Sequence, residues 1–195
     1  MNHDVADVLV VCTGNIARSP FAEKLLEREA RRRLGSTAAV RVRSAGVHGL
    51  VGRAAVGEMR QEAGDRGLDL SGHRGAAATA DLVGAADVVI AMTEAHRRAL
   101  VQLTPAAKER VFTLKELARL TREVDAPPEG LSPRQRLREV ARTAHRARAY
   151  VPPDATADDV ADPYGGPREG YRRCAAEIDD LVAAVAPVLF GPASR

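Results

Sequence analysis

At 195 residues with 45% hydrophobic content, the chain is of a size for one α/β domain with a genuine core. Its net charge of +3 is small, and the basic residues are nearly all arginine but too diffusely placed to argue for nucleic-acid binding. Cys12 and Cys174 are too far apart in sequence to suggest a disulfide framework and form no C-x-x-C pair for zinc, and no apolar run is long enough to cross a bilayer.

The first apolar run, Val5 to Val11, has no basic region ahead of it and ends in turn-forming residues. It reads as a buried parallel strand rather than a signal peptide, and a cytoplasmic protein is expected. Ser19-Pro20 predicts a helix start, with Ser19 as the N-cap, running to about Leu34 and stopped by Gly35. Val40 to Arg43 reads as a second strand, followed by a turn at Ser44-Ala45-Gly46. A helix is expected over Ala54 to Gly67 and a buried strand over Ala86 to Ala91. Thr93 caps the next helix, through Leu103, and a fourth strand over Arg110 to Thr113 leads into a helix from Leu114 to Val124.

The breaker cluster Asp125-Ala126-Pro127-Pro128-Glu129-Gly130 then changes the character of the chain. Ser132-Pro133 opens a further helix towards Tyr150, ended by Pro152-Pro153-Asp154, and Gly170 to Val188 reads as a closing helix. Strands alternating with helices predict an α/β fold: one doubly wound domain over residues 1–195, with a four-stranded parallel sheet flanked by helices. A basic helical insertion is expected at about 121–161. With aromatic residues at 3%, the core should be filled by Ala, Val and Leu rather than by aromatic anchors.

Chemistry concentrates in Cys12-Thr13-Gly14-Asn15-Ile16-Ala17-Arg18-Ser19, a cysteine, five residues, an arginine and a serine between a strand and a helix. A strand-to-helix turn aims backbone N–H groups into one concavity, where the helix dipole favours an anion. Thr13 to Arg18 would form that cradle, with Gly14 allowing close backbone approach and Arg18 offering two parallel N–H bonds to phosphate oxygens. The same field stabilises Cys12 as a thiolate, and the Ser19 hydroxyl is placed to donate to that sulfur. A nucleotide-binding P-loop is set aside because the segment has no lysine.

Extended to Pro20-Phe21-Ala22-Glu23, this segment resembles the signature loop of low-molecular-weight protein tyrosine phosphatases, which carry their nucleophile near the N-terminus. The similarity continues through Ser44-Ala45-Gly46, Leu70-Ser71-Gly72-His73-Arg74, Met92 to His96 and Asp162-Pro163-Tyr164. The resemblance implies hydrolysis of phosphotyrosine or other aryl phosphate monoesters through a Cys12 phosphoenzyme, with no metal or cofactor. Substrates would be a phosphotyrosine protein or a small aryl phosphate, with no nucleic-acid or membrane partner.

By the same resemblance Asp162 is the general acid, stiffened by Pro163. Spacing alone does not choose it over Asp154, Asp158 or Asp159. Asn15, Ser44 and His73 would form a supporting group, with Asn15 in a left-handed conformation held by the other two. Ala17 stands where many members of the family have a protective second cysteine. The pocket wall offers His48, Leu50 and Val51 in place of an aromatic residue, with Tyr164 as a substitute ring face.

Between Ser132 and Ala149 six arginines face one acid, and Leu137, Val140, Ala141 and Ala144 share one helical face. Two readings stay open: a helix laid on the domain with a solvated basic side, and a lid or docking surface for an acidic phosphoprotein. Alternative functions are an arsenate reductase of the same fold, for which Cys174 alone is a poor relay, and a catalytically silent phosphate-binding domain. The presence of both Cys12 and Asp162 counts against silence.

Overall fold

Every residue of β1 (Ala6–Cys12) is buried, which makes this strand the centre of the molecule. The computed structural model describes residues 5–35, 39–153 and 158–192. A strand covered on both faces needs no polar alternation, and this one has none apart from Asp7. β1 pairs in parallel with β2 (Val40–Gly46), from Ala6 opposite Val40 to Cys12 opposite Gly46. On its other side it pairs with β3 (Val88–Ala91), and β4 (Val111–Thr113) completes the order β2-β1-β3-β4. The expected parallel four-stranded sheet is therefore what forms. The order reverses at β1, so its carboxyl end is a topological switch point, the crevice where open α/β sheets bind ligands. Cys12 is the last residue of that strand.

The helices in chain order are α1 (Arg18–Leu34), α2 (Gly57–Gly64), α3 (Ala80–Ala85), α4 (Glu94–Leu103), α5 (Leu114–Leu120), α6 (Pro133–Ala147) and α7 (Arg168–Phe190). Apolar residues of α1, α2, α5, α6 and α7 join one face of the sheet in a single cluster, and α3 and α4 cover the other face. Phe21, Phe112 and Phe190 are among the largest fully buried side chains, all in the first cluster. The expectation of a core without aromatic anchors is corrected: the few phenylalanines present are spent where helices meet the sheet.

Local differences from the sequence reading have local causes. α2 is shorter than expected because Val56 stays extended and gives its N–H to Ile16 O at 2.9 Å. α3 is additional to the expected elements; its signal is Thr79, whose hydroxyl accepts from Leu82 N at 3.2 Å. β2 runs on through Ser44-Ala45-Gly46 in place of the expected turn, because these residues pair with Val10 to Cys12. α5 ends at Leu120, short of Val124. Of the stop expected after α6, Asp154 lies outside the described residues.

Ser132 and Gln135 form a reciprocal capping box at the start of α6, whose buried face is Leu137, Val140, Ala141, Ala144 and Ala147. Arg134 Nε and Arg138 Nε reach Asp87 Oδ1 at 3.1 and 2.8 Å, while Asp87 Oδ2 accepts from Asp7 N at 3.0 Å. Asp7 in turn receives Arg41 and Arg43. These contacts fix the first half of α6 at the amino ends of β1 and β3, a strand length of about 20 Å from Cys12. Arg148, just past the helix, pairs with Glu116 at 2.8 Å and lies 4.4 Å over the Phe112 ring of β4, the edge strand. Of the two open readings, these contacts suit a helix laid on the domain: Arg134, Arg138 and Arg148 serve the far end and the edge of the sheet, and no α6 residue lines the cavity at Cys12.

Candidate active site

Between Cys12 and α1 the backbone turns its carbonyls outward. Cys12 O accepts from Val47 N and Thr13 O from His48 N, each at 2.9 Å. Gly14 O accepts from Leu50 N at 3.0 Å and Ile16 O from Val56 N at 2.9 Å. Asn15 O lies 2.7 Å from His73 Nε2, which must carry the proton because a carbonyl only accepts. The planar peptide puts each N–H opposite its carbonyl, so those of Gly14 to Ala17 face inward, without a backbone acceptor among the described residues. α1 begins with no side-chain cap. Its first amides are thus left for an anion.

The turn needs Asn15 at φ 58°, the one non-glycine with positive φ among the described residues. Its fully buried amide is saturated: Oδ1 accepts from Ala76 N at 2.8 Å, and Nδ2 donates to Ser44 Oγ at 2.8 Å and Ser19 Oγ at 2.9 Å. Ser44 passes its own hydrogen to Glu23. Close approach is required at Gly46 rather than Gly14. A Cβ on Gly46 would stand 2.4 Å from Thr13 O, whereas one on Gly14 would make ordinary contact with Leu50.

Ser19 Oγ lies 3.0 Å from Cys12 Sγ. This overturns the reading of Ser19 as N-cap: α1 starts at Arg18, and the hydroxyl sits among the sulfur, Asn15 Nδ2 and the Ala45 carbonyl, the last at 3.3 Å. Arg18 is 3% exposed; Nη1 donates to Val160 O at 3.0 Å and Nη2 to Thr13 Oγ1 at 3.2 Å and to the Asp162 carboxylate. Val160 N donates to Met92 O at 2.8 Å, which holds the acid segment beside the end of β3. The rival acids are otherwise engaged. Asp158 pairs with Arg119 at 2.8 Å, Asp159 accepts from Glu94 N at 2.7 Å, and Asp154 lies outside the described residues.

A cavity of about 250 Å³ opens above Cys12, lined by Thr13, Gly14, Ile16, Ala17 and Arg18 of the loop and by His48, Leu50, Asp162 and Tyr164. Leu50 packs over Gly14, and Tyr164, 60% exposed, stands at the rim. Val51 is corrected as a pocket residue: it is 73% exposed and does not line the cavity, because the turn that brings Leu50 inward points it out.

Sequence reasoning gave no role to His96, to the Val160 carbonyl or to Glu23. His96 and Glu23 lie inside segments that carry the family resemblance, but a backbone carbonyl leaves no trace in sequence. Burial and the Arg18 guanidinium push His96 down to about 4, so the ring is neutral at physiological pH. Burial pushes the Cys174 thiol up to about 12. Among the described residues no group of three or more His, Cys, Asp or Glu side chains is placed to hold a metal, and no helix is long and apolar enough to cross a membrane.

A sulfur beneath inward amides, a guanidinium beside it and a carboxyl at the mouth, all at the switch point of a parallel sheet, define a cysteine-dependent phosphatase. Residues 7–144 match the low molecular weight phosphotyrosine protein phosphatase family, to which this chain belongs. A protein-arginine-phosphatase of Geobacillus stearothermophilus is 29% identical, over 93% of this chain and 95% of that protein. The low molecular weight protein-tyrosine-phosphatase Etp of Escherichia coli K12 is 43% identical, over 52% of this chain and 62% of its own length. The crystal structure of a low molecular weight protein tyrosine phosphatase from T. tengcongensis superimposes with a TM-score of 0.68 at 30% identity, covering 92% of this chain and 97% of that one.

Proposed function

We propose that this chain hydrolyses phosphotyrosine monoesters through a phosphocysteine formed on Cys12. The observation that carries the reading is Cys12 Sγ on the floor of an amide-lined cavity, 3.0 Å from Ser19 Oγ, with Arg18 and Asp162 converging above it. The inward amides and Arg18 bind the phosphoryl oxygens, and the thiolate attacks phosphorus as the P–O bond to the aryl group breaks. Asp162 gives its proton to the departing oxygen. Its carboxylate then takes a proton from water, which attacks phosphorus and returns sulfur as a thiolate stabilised by Ser19. The residues from about 121 to 161, α6 included, are read as an insertion on this single domain. Two free cysteines and a thiol nucleophile suit a reducing compartment, the cytoplasm.

A second reading, hydrolysis of phosphoarginine, is favoured by the likeness to the arginine phosphatase along 93% of this chain. The wall argues for the aryl substrate. Ile16, Leu50 and Tyr164 offer apolar surface to a ring, and among the described residues Asp162 is the one carboxylate lining the cavity. A guanidinium leaving group would have to share it with Arg18.

The test is hydrolysis of matched phosphotyrosine and phosphoarginine peptides, and of p-nitrophenyl phosphate, by wild type, C12S and D162N. Cys12→Ser should abolish turnover. Asp162→Asn should lower kcat on the phosphotyrosine peptide about 100-fold, and less on p-nitrophenyl phosphate, whose anion leaves without a proton. Full activity in C12S would end the proposal, and faster turnover of phosphoarginine would replace it with the second reading.

A further inference from the structure

Beside the loop stands a histidine that the proposed reaction does not use. His96, 6% exposed and third in α4, has Nε2 2.9 Å from Thr13 Oγ1. The sheet brings them together: Met92 N donates to Val11 O at 2.9 Å, drawing the start of α4 against the end of β1. Thr93 Oγ1 then caps the helix by accepting from His96 N at 3.2 Å. The other ring nitrogen, Nδ1, is buried without a partner among the described residues.

Counting protons fixes the direction of this contact. The ring is neutral and carries a single N–H. On Nδ1 that hydrogen would be a buried donor with no acceptor, whereas on Nε2 only a lone pair goes unmatched, the milder of the two defects. Nε2–H therefore donates to Thr13 Oγ1. The same oxygen accepts from Arg18 Nη2 at 3.2 Å. Both lone pairs of the hydroxyl are then engaged, so its hydrogen must point away from both donors. Thr13 lines the cavity, and that is the direction left.

We infer that His96 is a positioning residue that turns the Thr13 hydroxyl into a donor to the bound phosphoryl group, one hydrogen bond beyond those of the amides and Arg18. The inference rests on the phosphatase reading of the cavity. Without the histidine, a lone pair of the hydroxyl is freed and the O–H rotates among several partners, so the bond to the phosphoryl oxygen is no longer preset.

The experiment measures inorganic phosphate binding by calorimetry and kcat/KM on p-nitrophenyl phosphate for H96L, H96Q, T13V and the double variant T13V/H96L. His96→Leu removes the donor at similar bulk, and His96→Gln restores an N–H at similar reach. H96L and T13V should each weaken phosphate about tenfold, the worth of a hydrogen bond to a charged group, with H96Q within about twofold of wild type. The double variant should bind no more weakly than T13V, since the histidine acts only through the hydroxyl. Unchanged binding in T13V overturns the inference, whether or not H96L folds. Additive losses, or H96Q as poor as H96L, overturn it equally. Binding is read without turnover, so an enzyme that failed to hydrolyse its ester would sink the proposed activity and leave this test standing.

Discussion

Asn15 Nδ2 donates to Ser44 Oγ at 2.8 Å, tying the phosphate loop to the carboxyl end of β2 across 29 residues of sequence. The bond holds a residue whose backbone, at φ 58°, is one that side chains other than asparagine and aspartate avoid. Two substitutions separate these contributions. Asn15→Gly removes the amide but suits the backbone, whereas Asn15→Ala loses both. Thermal denaturation should find N15G more stable than N15A by about 1 kcal/mol. Both should lose roughly tenfold or more in kcat/KM, because loop rigidity rather than overall stability sets activity.

At the opposite end of the sheet, Asp87→Ala should separate stability from catalysis. Its carboxylate is buried and joins Arg134 and Arg138 to Asp7 N, but Arg138 is 63% exposed and solvates readily when the partner is lost. A loss of about 2 kcal/mol is expected, below the full cost of breaking a buried pair. Urea unfolding measures it, and kcat/KM at permissive temperature should be unchanged.

These two ends of the molecule also show what the sequence could reveal. The central strand and its loop were legible because an unbroken apolar run, Val8 to Val11, leads straight into Cys12. Gly35 and Thr93 mark helix ends in the same direct way. Asp162 was legible only through the family motif; its advantage over Asp158 and Asp159 is three-dimensional, since each of those is engaged with another element. The destination of the α6 arginines was hidden for the same reason. Helical periodicity showed which side of α6 is buried, but not that Asp87, 47 residues before Arg134, would receive its cations.

Stability should fall with acid in a window set by His96. Its folded pKa of about 4 lies below the ordinary 6.5, so between these values the unfolded chain binds the extra proton. The contribution is fully present above pH 6.5 and is lost as pH falls towards 4. At most it amounts to about 3 kcal/mol. His96→Gln has no such proton to bind, so the melting temperature of wild type relative to H96Q should drop steadily across that window. Parallel curves would contradict the assignment.

The two thiols should differ sharply towards alkylating agents. Cys12 and Cys174 are both buried, but Cys12 lines the phosphate cavity, whereas Cys174 lines a separate cleft and its thiol is pushed up to about 12 by burial. At neutral pH iodoacetamide should modify Cys12 alone, inactivating the enzyme, and inorganic phosphate should protect it. Peptide mass mapping checks this, and early labelling of Cys174 would count against its protonated state. A thiol held protonated is likewise a poor relay for arsenate reduction.

Arg18 is held at its rear by Val160 O, two residues before the carboxyl at its front. The proposed anion grip and proton donor are therefore anchored to one short stretch of chain. A substitution that displaced residues 158–164 should change phosphate affinity and leaving-group protonation together.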